Sequence, residues 1–424
     1  MPVMPPLEGI RIVELGSMIT APHAGMLLAD LGADVIKVER PEGGDPFRSF
    51  RGSTYSPNFT VFNRNKRSIA LNLQTPAGRE LVVKLIAKAD VLLENYRPGV
   101  MERLGLGANE LAAANPNLIH ATITGFGPDG PYSQRPAYDT VALAMSGAAS
   151  LFADGKTNQI LGATFPDIVT GIYAAYGILA SVLRRERTGA GGRIELNMLE
   201  ASIAFLPDLF ANYLQTGVSP GRYTRISGSQ AYSLCCSDGK FLVIHLSSRE
   251  KFWRALVSVL GRTELALDPR FSTQAKRIEN YEALRDVLLL DFATRDSAYW
   301  IPLLEQNDIP YAPIHSIPDV LNDPQVRHRG TFYDITHPDK GTFKAVHNPI
   351  IMDGARESTR FAPPVLGEHT FEVLKEIGCD ESKFDALLAA GVIGTSAAGA
   401  EGKQPPAAPV GSGIPNAGTG TEKQ

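Results

Sequence analysis

The sequence predicts an α/β protein with a mainly parallel sheet and a second, smaller unit. The chain has 424 residues, of which 44% are hydrophobic and 20% charged, so its length suits two or three globular domains. Over the first 130 residues, short β-rich runs alternate with helical periodicities, which is typical of strand–helix–strand units with parallel strands. Further along, a hairpin pattern over 232–246 precedes three helical segments, and these indicate the second unit.

The elements of the parallel unit follow one another closely. Strands are predicted at 10–15, 34–39, 90–94, 118–124 and 193–197. A helix over 23–31 separates the first two strands, and Gly32 ends it. A second helix begins at Pro76 and runs to residue 89, with its apolar residues on one side.

A long helix is predicted over 167–187. Its apolar stripe, which we expect to face the core, consists of Ile168, Ile172, Tyr176, Leu179, Val182 and Leu183. Gly189 ends the helix. Downstream, residues 219–229 are rich in Gly, Ser, Arg and Pro and predict a linker or a mobile loop. The last thirty residues have almost no large apolar side chains and predict a disordered tail.

Composition and motif searches exclude several classes of protein. The 41 Lys and Arg against 45 Asp and Glu give no basic excess for nucleic-acid binding. Three cysteines predict reduced thiols, and the chain has neither a signal-peptide pattern nor an uninterrupted apolar run of membrane-spanning length. We therefore expect a cytoplasmic protein that does not insert in a membrane. No metal-binding His or Cys spacing and no G-x-S-x-G motif occurs, so no metal site and no serine hydrolase is expected.

The opening strand–helix–strand unit raises the possibility of a nicotinamide cofactor. Glu39 ends the second strand, where a ribose-binding acid would stand. However, the first turn lacks G-x-G-x-x-G, and the one glycine match, at 125–130, runs into Pro131 instead of a helix. A nicotinamide dehydrogenase is therefore disfavoured.

Two features carry chemistry but allow two interpretations each. Asp167 stands at the start of the long helix, where the helix dipole should hold it ionised, and it is either a helix cap or a carboxylate nucleophile. Arginines near predicted strand ends, at Arg40, in the segment 63–67 and at Arg103, form either a solvated surface or a site for a phosphate-rich ligand.

Six motifs, in this order and spacing, resemble those of family III CoA-transferases, the CaiB/BaiF group. They are LEGI at 7–10, LGADVIKVER at 31–40, NRNKRS at 63–68, ENYRPG at 94–99, GFGPDGP at 125–131 and PVLGEHT at 364–370. The resemblance extends over about residues 7–392. It implies a Rossmann-like large domain built from both ends of the chain, a smaller α+β domain inserted late, and two subunits interlocked as a homodimer.

Domain boundaries follow from the resemblance and the composition. The N-terminal part of the large domain is expected over 1–218, and the linker and small domain over 219–330. Residues 331–394 are expected to return to the large domain, and 395–424 to form the disordered tail.

The resemblance also implies roles for individual residues. The family's nucleophile, an aspartate that forms a mixed anhydride and then a CoA thioester, falls on Asp167. The expected coenzyme A contacts are Met18, Arg40, Leu73, Gln74, Asn95, Tyr96 and Arg103. The expected substrate loop is Gly228, Ser229 and Gln230. The partners are acyl-CoA and small carboxylic acids, with no metal and no permanently bound cofactor.

Departures from the family pattern bear on the substrate and the reaction. Gln74 stands where many members have a lysine, and Ile19 replaces the glutamine of oxalate-type members. Tyr138 replaces the histidine of 2-methylacyl-CoA racemases, so a transferase is favoured over a racemase. A catalytically silent CoA-binding protein stays open. Arg222 and Arg225 favour a dicarboxylic, succinyl-type donor, unless they simply belong to a solvated linker.

Overall fold

The computed structural model describes residues 4–52, 54–152, 164–247, 250–356 and 359–396. Its strands form one large and two small sheets. They are β1 Arg11–Leu15, β2 Asp34–Glu39, β3 Lys66–Leu71, β4 Val91–Glu94, β5 Ile119–Thr124, β6 Gly192–Asn197, β7 Ala231–Cys235, β8 Phe241–His245, β9 Tyr311–Pro313, β10 Phe332–His337, β11 Gly341–Val346 and β12 Ile393–Gly394.

Helices cover and connect these sheets. They are α1 Thr20–Asp30, α2 Pro57–Thr60, α3 Pro76–Ile86, α4 Val100–Arg103, α5 Ala108–Ala114, α6 Asp139–Met145, α7 Ala148–Phe152, α8 Pro166–Thr188, α9 Met198–Ala204, α10 Pro207–Thr216, α11 Thr224–Gly228, α12 Glu250–Val259, α13 Gln274–Glu279, α14 Tyr281–Phe292, α15 Ser297–Gln306, α16 Ile317–Asn322, α17 Pro324–His328, α18 Thr370–Glu376 and α19 Phe384–Ala389. Short 3₁₀ segments occur at Pro46–Gly52, Thr263–Ala266 and Glu381–Lys383.

The large sheet has seven strands in the order β12-β3-β2-β1-β4-β5-β6. All neighbours pair in parallel except β12, which is antiparallel to β3 at the edge. The predicted α/β class with a mainly parallel sheet is therefore confirmed. Because β3, β2, β1 and β4 are parallel neighbours, their carboxyl ends lie along one edge of the sheet.

Strand β3 was not predicted, because its sequence begins with three polar residues. Lys66 is fully buried, and its Nζ lies 2.8 Å from Glu14 Oε2. Arg67 pairs with Asp34 Oδ2 at 2.7 Å and with Glu376 Oε1 at 2.6 Å. Arg64 pairs with Asp30 within the same buried layer. Interpreting segment 63–67 as a ligand-binding surface was therefore wrong, since its charges are used in internal ion pairs.

The C-terminal segment contacts the large sheet at several places. Strand β12 pairs with β3, and Arg67 joins β3 to Glu376 of α18. The three-stranded sheet β7-β8-β9 packs against α12, α14 and α15 around a separate core that includes Trp253, Phe292 and Trp300. The proposed domain boundaries stay a prediction, and residues 397–424 of the expected tail lie outside the described residues.

Helix α8 packs on α1 through a face that overlaps only in part with the predicted stripe, since Leu179 and Val182 pack against the core. Ile178 is buried, whereas Ile172, Tyr176 and Leu183 are 49%, 68% and 53% exposed. The helices approach closely at Gly171, where an added Cβ would lie 2.9 Å from His23 Nδ1. Small residues therefore form the closest part of the contact, and three large residues of the expected stripe, Ile172, Tyr176 and Leu183, point outward.

By length and composition alone, helix α8 could also cross a membrane. Among the described residues α8 is the helix that is long and apolar enough, and 44% of its most apolar stretch of 18 residues is buried. Core helices of soluble proteins meet the same criterion, so this observation carries little weight.

Candidate active site

The sheet edge gathers the residues expected to contact coenzyme A. Each follows the carboxyl end of one of four adjacent strands or, for Arg103, ends the short helix α4 after the fourth. They are Met18 after β1, Arg40 after β2, Leu73 and Gln74 after β3, and Asn95 and Tyr96 after β4. An open parallel sheet binds its ligand at this edge, so the topology supports a shared site.

The first turn after β1 is held from within the protein. Asn95 Oδ1 accepts the Ser17 N–H at 3.0 Å, and Asn95 Nδ2 donates to the Ser17 carbonyl at 2.8 Å. The Met18 N–H donates to both Asp45 carboxylate oxygens at 3.2 Å. The Asn95 side chain, which we expected to contact coenzyme A, is therefore engaged in shaping the turn.

The other residues at this edge differ in how far they are exposed. Arg40 and Arg103 are exposed cations, while Tyr96 packs partly against the core of the large sheet. Burial, followed by the charge of Glu94, raises the pKa of the Tyr96 hydroxyl. Gln74 is exposed.

Arg79 is a cation at this edge that the sequence analysis did not single out. Its Nη1 donates to the carbonyls of Leu73 and Gln74 at 3.3 and 3.0 Å. It therefore brings positive charge to the segment where a lysine is missing. Its position five residues after Gln74, in the first turn of a helix opened by Pro76, was the available signal.

Glu39 has a structural role instead of a ribose-binding one. Arg48 binds its two carboxylate oxygens through Nε and Nη2, each at 2.7 Å. Burial alone would raise the pKa of Glu39, but Arg48, helped by Lys37 and Ser68, lowers it to about 2. The feature that had suggested a nicotinamide cofactor is thus used in a buried ion pair.

Asp167 lies in the first turn of α8 and is half-buried. The N-cap position belongs to Phe165, so the interpretation of Asp167 as a helix cap is wrong. The Asp167 N–H donates to Asp139 Oδ1 at 3.1 Å. Burial and the neighbouring Asp139 charge raise the pKa of Asp167 to about 7, which opposes the effect expected of the helix dipole.

Asp139 is a second residue that the sequence analysis missed. It begins α6, and burial raises the pKa of its carboxyl although the N–H groups of Asp167 and Phe165 act in the opposite direction. The signal was the Tyr138-Asp139 pair, which we considered only for its lack of a histidine. Two carboxyl groups at neighbouring helix starts thus share one site.

The expected substrate loop is partly turned inward. Gln230 is buried, its Oε1 accepts from Arg277 Nε at 2.7 Å, and its Nε2 donates to the Ser247 carbonyl. Gly228 is exposed and Ser229 half-buried at the end of α11, which occupies part of the predicted linker. Only these two residues of the loop present surface to a substrate.

Within the described ranges, no group of three or more His, Cys, Asp or Glu side chains is arranged to hold a metal ion. A cavity of about 320 Å³ lies beside the carboxyl ends of β4 and β5. Tyr96 and Gly99 line it together with Arg97, His120 and Arg193. The cavity therefore adjoins the expected coenzyme A contacts after β4.

Comparisons with known proteins agree with the geometry. A family model described as CoA-transferase family III matches residues 7–370. Succinyl-CoA:glutarate CoA-transferase of Mus musculus is 38% identical over 399 residues, with 92% of this chain and 91% of that protein covered. Succinate–glutarate CoA-transferase of Agrobacterium fabrum is 35% identical, with 88% and 96% covered.

A solved structure is similar as well. The crystal structure of a CaiB/BaiF family protein from Brucella suis superposes with a TM-score of 0.77 at 34% identity, and covers 88% of this chain and 99% of that one. These matches confirm the resemblance drawn from the six motifs. Cytoplasmic location stays a prediction.

Proposed function

Because the chain belongs to CoA-transferase family III and is a CoA-transferase, we propose that it moves coenzyme A from succinyl-CoA to a second dicarboxylic acid through intermediates on Asp167. The observation that carries the proposal is the placement of Asp167. Its carboxyl is half-buried in the first turn of α8, beside Asp139, and does not serve as the helix cap. A carboxylate in this position is available as a nucleophile.

The reaction uses two successive acyl exchanges. The Asp167 carboxylate attacks the thioester carbonyl of the donor, and the C–S bond breaks to give a mixed anhydride and the coenzyme A thiolate. The thiolate then attacks the Asp167 carbonyl, which releases the donor acid and leaves an aspartyl thioester. The acceptor carboxylate repeats these steps in reverse and leaves as its coenzyme A ester, which regenerates the Asp167 carboxylate. Each nucleophile reacts as its anion, so no general base is required in the steps themselves.

The protein contributes electrostatic stabilisation of the oxyanions. The first turn of α8 carries the positive end of the helix dipole, next to the carbonyl that is attacked. Burial, which raises the pKa of Asp167, also favours the reaction, because a poorly solvated carboxylate loses its charge when it forms the mixed anhydride. The exposed part of the loop, Gly228 and Ser229, is proposed to exclude water from these intermediates.

Coenzyme A would lie along the sheet edge. Arg40 and Arg103 are exposed cations suited to its phosphates, and Arg79 provides a third cation near the position of the missing lysine. Met18, Leu73 and Tyr96 offer apolar surface for the adenine and the pantetheine arm.

A dicarboxylic substrate class is supported by two observations. The relatives from mouse and Agrobacterium act on succinyl and glutarate groups by name. Arg222 and Arg225 are exposed beside the loop, although Arg225 also lies 3.5 Å from Asp208. Their guanidinium groups can pair with the distal carboxylate of such an acid.

Mass spectrometry of the peptide that contains Asp167 tests the proposed function. After incubation with succinyl-CoA, we expect a coenzyme A thioester on Asp167 that disappears when glutarate is added. Acetyl-CoA serves as the donor without a distal carboxylate and should label the peptide less. If no donor labels Asp167 while solvent deuterium enters the substrate α-carbon, the enzyme is a racemase and the proposal fails.

The homodimer that the family resemblance implies is also proposed here. The outward face of α8, with Ile172, Tyr176 and Leu183, is apolar and extensively exposed. A helix face that exposes several large apolar side chains is typical of a subunit interface.

Replacing Tyr176 with arginine should abolish the dimer, because a charged side chain would be buried without a partner. Sedimentation velocity checks the result, with Tyr299→Arg as the matched control, since Tyr299 is 48% exposed on α15. A Tyr176→Arg protein that sediments as a dimer at micromolar concentration contradicts this interface.

A further inference from the structure

We propose that Asp45 is a positioning residue that holds the first turn after β1 in the shape that binds coenzyme A. The inference rests on the proposed function, since it concerns the same ligand. Its evidence is separate, however, and comes from the polar contacts beneath the turn at residues 16–19.

Three side chains from three different segments form hydrogen bonds with the backbone of this turn. Lys37 Nζ donates to the Gly16 carbonyl at 2.7 Å. Asn95 binds the Ser17 N–H and carbonyl, and Asp45 accepts the Met18 N–H. Consecutive peptide groups of the turn are therefore fixed by side chains from β2, from the loop after β2 and from the loop after β4.

The backbone conformation of Met18 explains why these hydrogen bonds are needed. Its φ is 66°, in the left-handed region of the backbone that residues other than glycine adopt only at a cost in free energy. The hydrogen bond from its N–H to Asp45 stabilises this conformation. When that acceptor is removed, the turn is expected to relax toward an ordinary negative φ, which moves the Met18 side chain and the neighbouring N–H groups.

Asp45 acts through the turn and not by touching the ligand. Its side chain is 1% exposed, and Lys37 Nζ lies 3.0 Å from its Oδ2. Lys37 also pairs with Glu14 at 2.9 Å, and Glu39 accepts the Asp45 N–H at 3.0 Å. This buried ionic cluster orients the carboxylate rigidly, because each of its oxygens has fixed partners.

The experiment compares Asp45→Asn and Asp45→Ala with the wild type in the full-length protein. Calorimetric titration with coenzyme A should show about tenfold weaker binding for the alanine variant. The asparagine variant should bind more tightly than the alanine variant, because it keeps one oxygen to accept the Met18 N–H. KM for succinyl-CoA should rise in parallel while kcat at saturation stays within about twofold of the wild type.

Asp34→Asn is the matched control. Asp34 begins the same strand β2 at the opposite edge and pairs with Arg11 and Arg67, so its loss should lower the melting temperature without changing coenzyme A affinity. If the Asp45 variants bind coenzyme A as the wild type does, or if Asp34→Asn weakens binding equally, the positioning role is refuted.

Asn95→Ser provides a second test that leaves the buried charges intact. It removes the bonds to Ser17 and Thr20. Unchanged affinity in this variant would show that coenzyme A binding does not depend on the shape of the turn, which overturns the inference even where the Asp45 variants do not fold. Coenzyme A binding is read without turnover. A wild type that binds coenzyme A but never labels Asp167 therefore refutes the proposed function and leaves this inference testable.

Discussion

Replacing Asp167 with alanine is expected to lower the rate of coenzyme A transfer at least about a thousandfold, because the variant has no group on which either covalent intermediate can form. The loss should appear in kcat, since the cations and the apolar surface expected to bind coenzyme A lie on the sheet edge after β1 to β4 and are unchanged. Steady-state transfer from succinyl-CoA to glutarate measures the effect.

Stability and binding measurements show whether the loss is chemical. Calorimetry should give a coenzyme A affinity for Asp167→Ala close to that of the wild type. The folded pKa of Asp167 is about 7 against an ordinary value of 3.8, so the folded protein holds the proton more tightly than the unfolded chain. Ionisation therefore costs stability at pH 8, and Asp167→Asn should melt at a higher temperature than the wild type there. Turnover within tenfold of the wild type in a folded Asp167→Ala protein would contradict the assignment.

The strands of the parallel sheet could be predicted wherever their sequences are apolar. Strands β1, β2, β4, β5 and β6 lie close to the predicted positions, but β3 was missed. A strand that begins with Lys66, Arg67 and Ser68 has no apolar pattern, and its burial depends on partners distant in sequence, such as Glu14 and Glu376. Pairing between residues so far apart leaves no local signal.

Helix α8 shows a second limit. Its length and ends could be predicted from Gly189 and the periodicity, but not the face that packs on α1. Gly171 and Ala174 allow close approach of the two helices, whereas Tyr176 is too large for that contact and faces outward. Hydrophobicity alone selects the larger side chains, and it does not distinguish those that pack on α1 from those that face outward.

The candidate site was predicted at the level of the sheet edge but not of individual side chains. Strand order and the family resemblance placed Met18, Arg40 and Asn95 together, and the topology agrees. Whether an amide faces a ligand or the protein depends on contacts such as Asn95 with Ser17 and Gln230 with Arg277, which bring together residues 78 and 47 positions apart. The pairing of Asp139 with Asp167 is equally non-local.

That pairing predicts an activity that depends on pH near neutrality. In the proposed mechanism Asp167 reacts as its carboxylate, and its pKa is raised to about 7, first by burial and then by Asp139. The transfer rate, measured as kcat/KM, should therefore increase as the pH rises through 7 and reach a plateau above it. Since the two carboxyl groups interact, this acid limb belongs to the pair.

Asp139→Asn separates the two causes. The amide keeps an oxygen that can accept the Asp167 N–H but removes the negative charge, so the pKa of Asp167 should fall and the acid limb should move below pH 7. The limb should remain above the ordinary range of an aspartate, because burial still acts on Asp167. At pH 6 the variant should therefore lose less of its own plateau rate than the wild type does, by several-fold.

Asp129→Asn, which removes the same charge from an exposed position in the connection before α6, should leave the limb in place. An acid limb that stays at pH 7 in Asp139→Asn would mean that burial alone sets the pKa of the nucleophile, and that Asp139 serves only as the acceptor that orients the first turn of α8.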